Sequence, residues 1–159
     1  MRFTAKTEYG LICLLYMARN AELHPVTTKD IVKGEKFSRS FTEKILQKLR
    51  AAKIVRSQQG NQGGYELAKD PSKITLKEII EALEGNTFEV FCEPDVRKEI
   101  VCTHYSLCDL KPIWHQTKKL LDQYFGSITV EMLAKHKQPM SLPADAGNLG
   151  HGSPGQAGG

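Results

Sequence analysis

Three of the four cysteines lie in one polar stretch, Cys92-Glu-Pro-Asp-Val-Arg-Lys-Glu-Ile-Val-Cys102-Thr-His-Tyr-Ser-Leu-Cys108, with the spacing C-x9-C-x5-C. Glu93, Pro94, Asp95, Arg97, Lys98 and Glu99 make this segment too polar for an interior, and no regular apolar period runs through it. Thiols grouped on such a loop read as soft-metal ligands, since thiolates bind zinc, copper(I) and iron–sulfur clusters. Zinc in a closed tetrahedral site would be expected with a C-x2-C pair, which is missing. His104 lies inside the loop, and an imidazole can replace a thiolate on iron; the plain alternative is an exposed loop histidine. A reversible Cys102–Cys108 disulfide is the other chemistry open to these groups. Cys13 sits among leucines and reads as a small core hydrophobe.

The elements around the loop are legible from periodicity. Thr7 to Arg19 is a first helix, with Leu11, Leu14, Leu15 and Ala18 at helical spacing. Thr27 caps a short helix from Thr28 to Lys33, with Asp30 at the capping-box position. After a turn at Gly34–Phe37, Ser38 or Ser40 caps a third helix, and Ser40-Phe-Thr-Glu43 fits a capping box. Its buried face is Phe41, Ile45, Leu46 and Leu49, while Arg39, Lys44, Lys48, Arg50 and Lys53 face outward. Ile54–Ser57 and Tyr65–Leu67 read as two strands joined by a glycine-rich turn. Helices in helix-turn-helix order followed by a hairpin make a winged helix. Thr75-Leu-Lys-Glu78 opens a fourth helix that Gly85 stops.

The expected fold is therefore mainly α with a small β wing. A winged helix-turn-helix domain (residues 1–85) is followed by the cysteine loop (86–111), then by a dimerisation helix and closing segment (112–137). A tail rich in Pro, Gly, Ser and Ala (138–159) is expected to be disordered. The long helix from Leu110 to Phe125 carries a wide apolar stripe, Trp114, Thr117, Leu121 and Tyr124 flanked by Leu110, Ile113, Leu120 and Phe125. Such a face calls for a second copy in a homodimer, or for folding back on the first helix.

Charge points to the partner. Up to Asp70, thirteen Lys and Arg face seven Asp and Glu, whereas beyond it nine face eleven. The basic half therefore suits a polyanion, and its architecture makes that double-stranded DNA. Ser38, Arg39, Ser40, Glu43 and Lys44 open the third helix, where Arg39 could read guanine and Glu43 could accept from cytosine N4. Lys48, Arg50 and Arg56 would serve phosphates, and Gln59 and Asn61 lie in the wing turn. The run Tyr9–Ala18 is too short to span a bilayer and lacks a cleavage site, so a cytoplasmic protein without membrane attachment is expected. In a reducing compartment the cysteines are ligands or redox groups sooner than structural disulfides. There is no nucleophile elbow, phosphate loop or acid pair, which argues against an enzyme.

Several of these segments resemble one known family. Met1-Arg2-Phe3-Thr4 running into Thr7-Glu8-Tyr9-Gly10-Leu11 looks like its opening. Leu46-Gln-Lys-Leu49-Arg50-Ala-Ala-Lys-Ile-Val55 and Gly60-Asn-Gln-Gly63-Gly64-Tyr65-Glu-Leu67 resemble its recognition helix and wing, and Trp114 follows Cys108 by six residues. This is the bacterial winged-helix family of iron–sulfur transcriptional regulators that includes IscR and the nitric-oxide-sensing repressor NsrR. The resemblance covers residues 1–135 and implies a homodimer on a palindromic operator, with a cluster near crossing long helices. The IscR type adds to three cysteines a histidine three residues after the last, where this chain has Lys111. The NsrR type adds a partner-subunit aspartate at the start of the first helix, where this chain has Glu8, and shares the C-x5-C spacing. The resemblance thus favours [4Fe–4S] over [2Fe–2S], with Cys92, Cys102, Cys108 and Glu8 as ligands and His104 as the rival fourth. It implies a repressor sensing nitric oxide, redox state or iron–sulfur status; a cluster-free thiol or metal switch on the same fold is the alternative. Where family members often carry a wing arginine, this chain has Gln59.

Overall fold

The structure is a computed structural model and describes residues 3–20, 25–60, 63–90, 102–104 and 107–135. Cys92, Asn61 and the tail 138–159, each singled out above, lie outside the described residues.

Helix α1 (Ala5–Arg19) begins ahead of its apolar run because the Thr4 hydroxyl caps it, accepting from the Lys6 N–H at 3.2 Å. Asn20 closes it, donating both its backbone and side-chain N–H to the Tyr16 carbonyl. The buried stripe is Gly10, Cys13, Leu14 and Met17, while Leu11, Leu15 and Ala18 are only half-buried. The face is thus turned from the one apolar spacing suggested, and Gly10 explains why. A Cβ at Gly10 would lie 2.4 Å from Leu83 Cδ1, so the missing side chain is what lets α1 meet the fourth helix here.

Helix α2 (Thr28–Glu35) forms the expected capping box, with Thr27 and Asp30 each bonding the other's backbone N–H. It runs past Lys33 and ends on Lys36, whose φ of 56° is left-handed. Phe37, tilted, and Phe41, edge-on, then pack on Tyr9, with ring centroids 4.1 and 5.2 Å away, fixing the turn against α1. In helix α3 (Arg39–Ala51) the expected Ser40–Glu43 capping box is absent. Ser38 is the N-cap residue, so Glu43 falls two positions too late to reach the cap and instead pairs with Arg39 at 2.9 Å. Thr42, Ile45, Leu46 and Leu49 are buried, and Phe41 is half-buried.

Strands β1 (Val55–Gln58) and β2 (Gly64–Leu67) pair antiparallel with Arg56 opposite Glu66 and Ser57 opposite Tyr65. The first is shifted by one residue from its expected bounds, and the second begins one residue earlier and ends where expected. Val26 bridges to Tyr65 through two backbone bonds and ties the wing base to the entry of α2. A short 3-10 turn at Pro71–Lys73 leads to α4 (Leu76–Glu84), with the Thr75–Glu78 box formed and Gly85 ending the helix at φ 100°. Helix α5 (Leu110–Ser127) leans on α4, and it is α6 (Val130–Lys135) that packs against α1. Backbone bonds from Leu76 to Ile128 and from Val130 to Ile74 bring the chain end back into the head, where Ile128 and Val130 are buried. The core gathers Leu14, Met17, Ile31, Ile45, Leu49 and Leu83, each fully buried residue contributing roughly 1.5–3 kcal/mol.

The Glu84 carboxylate locks α4 to α1. Its Oε1 accepts from the Thr4 N–H (3.0 Å), the Thr4 hydroxyl (2.6 Å) and the Thr7 hydroxyl (2.7 Å). Burial raises its pKa, but the hydrogen bonds from Thr4 and Thr7 outweigh that and hold it below the ordinary glutamate value. Because the folded value is depressed, its stabilisation is present above the unfolded pKa and is lost as pH falls through the folded one. Glu84→Gln is therefore expected to cost about 1–2 kcal/mol at pH 7. The gap from wild type should shrink below about pH 4.3. Urea unfolding across pH measures both, and a pH-independent gap would remove the carboxylate from this role.

Candidate nucleic-acid interface and cysteine site

The solvent face of α3 carries Ser40, Lys44, Gln47 and Ala51 at 4-3-4 spacing, all exposed. Gln47 was missed from the sequence because only charge and the helix start were weighed; its spacing from Ser40 and Lys44 would have found it. An amide at that position could read adenine. Arg39 is exposed but bound to Glu43, an i,i+4 surface pair worth roughly 0.3–0.5 kcal/mol. A bidentate guanine contact is worth about 1–3 kcal/mol, so the pair is cheap to exchange for a base. Lys44 makes no ion pair among the described residues.

Other expected phosphate contacts divide. Lys48 reaches the Leu83 carbonyl at 3.3 Å, so it also joins α3 to the C-terminal end of α4. Arg56 pairs with Glu66 at 2.6 Å, and Gln58 donates to the same oxygen at 2.7 Å, which clamps the wing across its strands. Arg50 and Gln59 are exposed, as is Ser38, whose hydroxyl lies 3.4 Å from that of Ser40.

Two of the three loop cysteines fall among the described residues. Cys102 is exposed, Cys108 is half-buried, and both are free thiols. His104 is exposed and accepts from the Leu107 N–H through its carbonyl at 3.0 Å. The Cys108 carbonyl accepts from Lys111, placing this thiol at the foot of α5. It lines a cavity of about 520 Å³ with Leu107, Asp109, Lys111, Pro112 and His115. Glu8 is exposed in the first turn of α1. Among the described residues, no three His, Cys, Asp or Glu side chains converge on a single-ion site. The exposed Cys102 thiol and the Cys108 thiol, the latter bordering that cavity, nonetheless suit the donor chemistry of an iron–sulfur cluster. Cys13 is different: it is wholly buried, and burial, helped by Glu35, pushes its thiol up to about 12. It is a core residue.

Helix α5 has two characters. Phe125 is buried against Phe3, and Trp114 lies against Phe88, so part of the expected stripe serves its own chain. Leu110, Ile113, Thr117, Leu120 and Tyr124 recur at 3-4-3-4 spacing, and Leu110, Ile113 and Leu120 are 53–54% exposed. On another side Asp122 accepts from the buried Thr87 hydroxyl and pairs with Lys77 of α4 at 3.4 Å. Burial raises the Asp122 carboxyl, but Thr87 and Lys77 more than offset it and leave it below the usual aspartate range. No helix among the described residues is long and apolar enough to cross a membrane.

A three-helix head with a basic reading helix and a paired-strand wing defines a winged helix-turn-helix DNA-binding protein. The profile of the Rrf2 family, described as an iron-dependent transcriptional regulator, matches residues 3–136, and the chain belongs to that family. It is a DNA-binding transcriptional regulator and not an enzyme. It is 28% identical over 142 residues to the transcriptional regulator IscR of Xenorhabdus nematophila, covering 89% of this chain and 84% of that one. The solved structure of CymR, the global cysteine regulator of B. subtilis, is similar with a TM-score of 0.64 and 28% identity, covering 84% of this chain and 96% of that one. The T. potens IscR structure matches with a TM-score of 0.65 and 25% identity, covering 92% and 96%.

Two outcomes follow. Arg39→Ala should weaken binding to a specific operator by about 1–3 kcal/mol while nonspecific binding changes far less; an unchanged operator affinity removes Arg39 from the readout. In the native apo-protein, iodoacetamide should modify Cys102 and Cys108 and spare Cys13, as peptide mass spectrometry would read.

Proposed function

We propose that this regulator is a homodimeric repressor acting in the cytoplasm on a palindromic operator, its affinity set by an iron–sulfur cluster held by Cys92, Cys102 and Cys108. The observation that carries the reading is the position of the Cys108 thiol at the foot of α5, the helix whose heptad-spaced apolar residues Leu110, Ile113 and Leu120 stay exposed among the described residues. A [4Fe–4S] group with one non-thiolate donor is favoured, that donor being Glu8 of the partner subunit or an imidazole such as His104. When bound, the group supplies an iron open to nitric oxide or oxygen, because carboxylate and imidazole are weaker donors than thiolate.

The rest of the response belongs to the chain. Movement at the foot of α5 reaches α4 through Lys77, Thr87 and Asp122. The C-terminal end of α4 then meets α3 through Lys48 and α1 through Glu84. A shift of α5 therefore changes the placement of two reading helices in a dimer, and half-site spacing decides operator fit. A differential affinity of about 1–3 kcal/mol is enough for a switch. A cluster-free thiol switch is the second reading, supported by free Cys102 and Cys108 with five residues between them in the chain and by the likeness to the cysteine regulator CymR.

Native mass spectrometry of protein purified without oxygen, with its visible spectrum before and after nitric oxide, tests the choice. A dimer with four irons and four sulfides per subunit that nitric oxide removes, together with weaker operator binding, is the expected result. A colourless dimer that binds DNA differently after oxidation would overturn the cluster in favour of the thiol switch.

A further inference from the structure

The outward face of α3 is narrower than its charges suggest. At about 100° per residue, Ser40, Lys44, Gln47 and Ala51 lie within about 30° of the direction opposite the buried Thr42, Ile45, Leu46 and Leu49. Glu43, Lys48 and Arg50 lie roughly 70–90° round to either side. Two of these are engaged, Glu43 by Arg39 and Lys48 by the Leu83 carbonyl. Gln47 is exposed and makes no hydrogen bond among the described residues, so its amide gives up no partner on meeting a base. Ser40 and Gln47 are about 10 Å apart along the helix axis, so the stripe passes roughly three base pairs in a major groove.

We propose that Gln47 is a specificity-determining residue of this regulator, holding one adenine of the operator through its side-chain amide. The proposal rests on the DNA-binding class of the protein and on neither the cluster nor the thiol-switch reading. What each side chain of the stripe can donate and accept carries it. Ser40 offers a single rotating hydroxyl, which suits several base edges, and Lys44 offers donors alone, which suit the O6 and N7 acceptors of guanine. Ala51 has no polar group. Of the four, Gln47 alone sets a donor and an acceptor side by side in one plane, the complement of adenine N7 and its N6 amino group. A cation on this helix is drawn to any phosphate, whereas a neutral amide gains little from a polyanion as such. Gln47 therefore adds sequence information where Arg50 adds affinity.

Because Gln47 is exposed and lies outside the core, its replacement should leave the fold intact. In the test, full-length wild type, Gln47→Ala and Gln47→Glu, purified without oxygen, are each offered a library of random duplexes, and the bound duplexes are sequenced. Wild type is expected to favour adenine at one position of its motif by about 5- to 150-fold, the discrimination of a bidentate base contact. Gln47→Ala should lose that preference and keep the rest of the motif. Gln47→Glu should move it to cytosine, whose N4 donates to a carboxylate. A Gln47→Ala motif identical to wild type at every position overturns the proposal. So does a Gln47→Ala variant that binds every duplex more weakly with its motif unchanged, since Gln47 would then touch only the backbone. A wild type that selects no motif overturns it as well.

Discussion

Where α1 crosses α4, the Glu84 carboxylate accepts three hydrogen bonds at the start of α1, and Gly10 lets the two helices touch. Glu84 ends α4, the unfavourable pole for a negative charge in its own helix. It lies, however, at the favourable pole of α1, beside that helix's free N–H groups. The charge is thus placed for the contact between helices and not for the helix that carries it. Leu83, its neighbour, fills the space over Gly10 and gives its carbonyl to Lys48 of α3. One turn of α4 therefore sets the positions of α1 and α3 together, and the reading head depends on it.

This arrangement divides the basic residues of α3 by task. Lys48 brings a cation to the C-terminal end of α4, where the dipole is negative, so part of its charge serves the fold. Lys44 and Arg50 remain exposed for a polyanion, and Arg39 is held only by a weak surface pair. In the wing, Arg56 is partly neutralised by Glu66, which leaves the hairpin stiffened but less cationic than its sequence suggests. Gln59, near the tip, adds no further charge to it.

Local signals gave the elements reliably where they are local in cause. The capping boxes at Thr27–Asp30 and Thr75–Glu78 need only four residues, and both form. The Ser40–Glu43 box has the same pattern and fails because α3 starts two residues earlier, which the packing of Phe37 and Phe41 on Tyr9 helps to fix. The face of α1 was misjudged for a similar reason: a glycine adds nothing to an apolar count, yet Gly10 is the contact with Leu83. Cys13 was legible as core because its neighbours are leucines. The recognition helix could be found by charge, but which lysine faces α4 and which faces outward depends on tertiary contacts.

The two sides of α5 explain why a sensor would be placed at its foot. One side is held by Phe125 against Phe3 and by the Thr87–Asp122–Lys77 contacts to α4; another leaves Leu110, Ile113 and Leu120 about half exposed. Covering each of these in a symmetric pair would contribute on the order of 1 kcal/mol, doubled by the second copy. Association itself costs an estimated 4–15 kcal/mol, so the seam alone would come close to balancing that cost without greatly exceeding it. In the proposed dimer, so balanced, one additional bond at the foot of α5 would shift the geometry of the pair measurably. A wholly apolar, fully buried α5 would hold the dimer too firmly for a ligand change to move it. On the proposed reading, the mixed character of this helix, apolar on its open side and ion-paired on its held side, would let a local change at Cys108 reach Lys48 and Glu84 through α4.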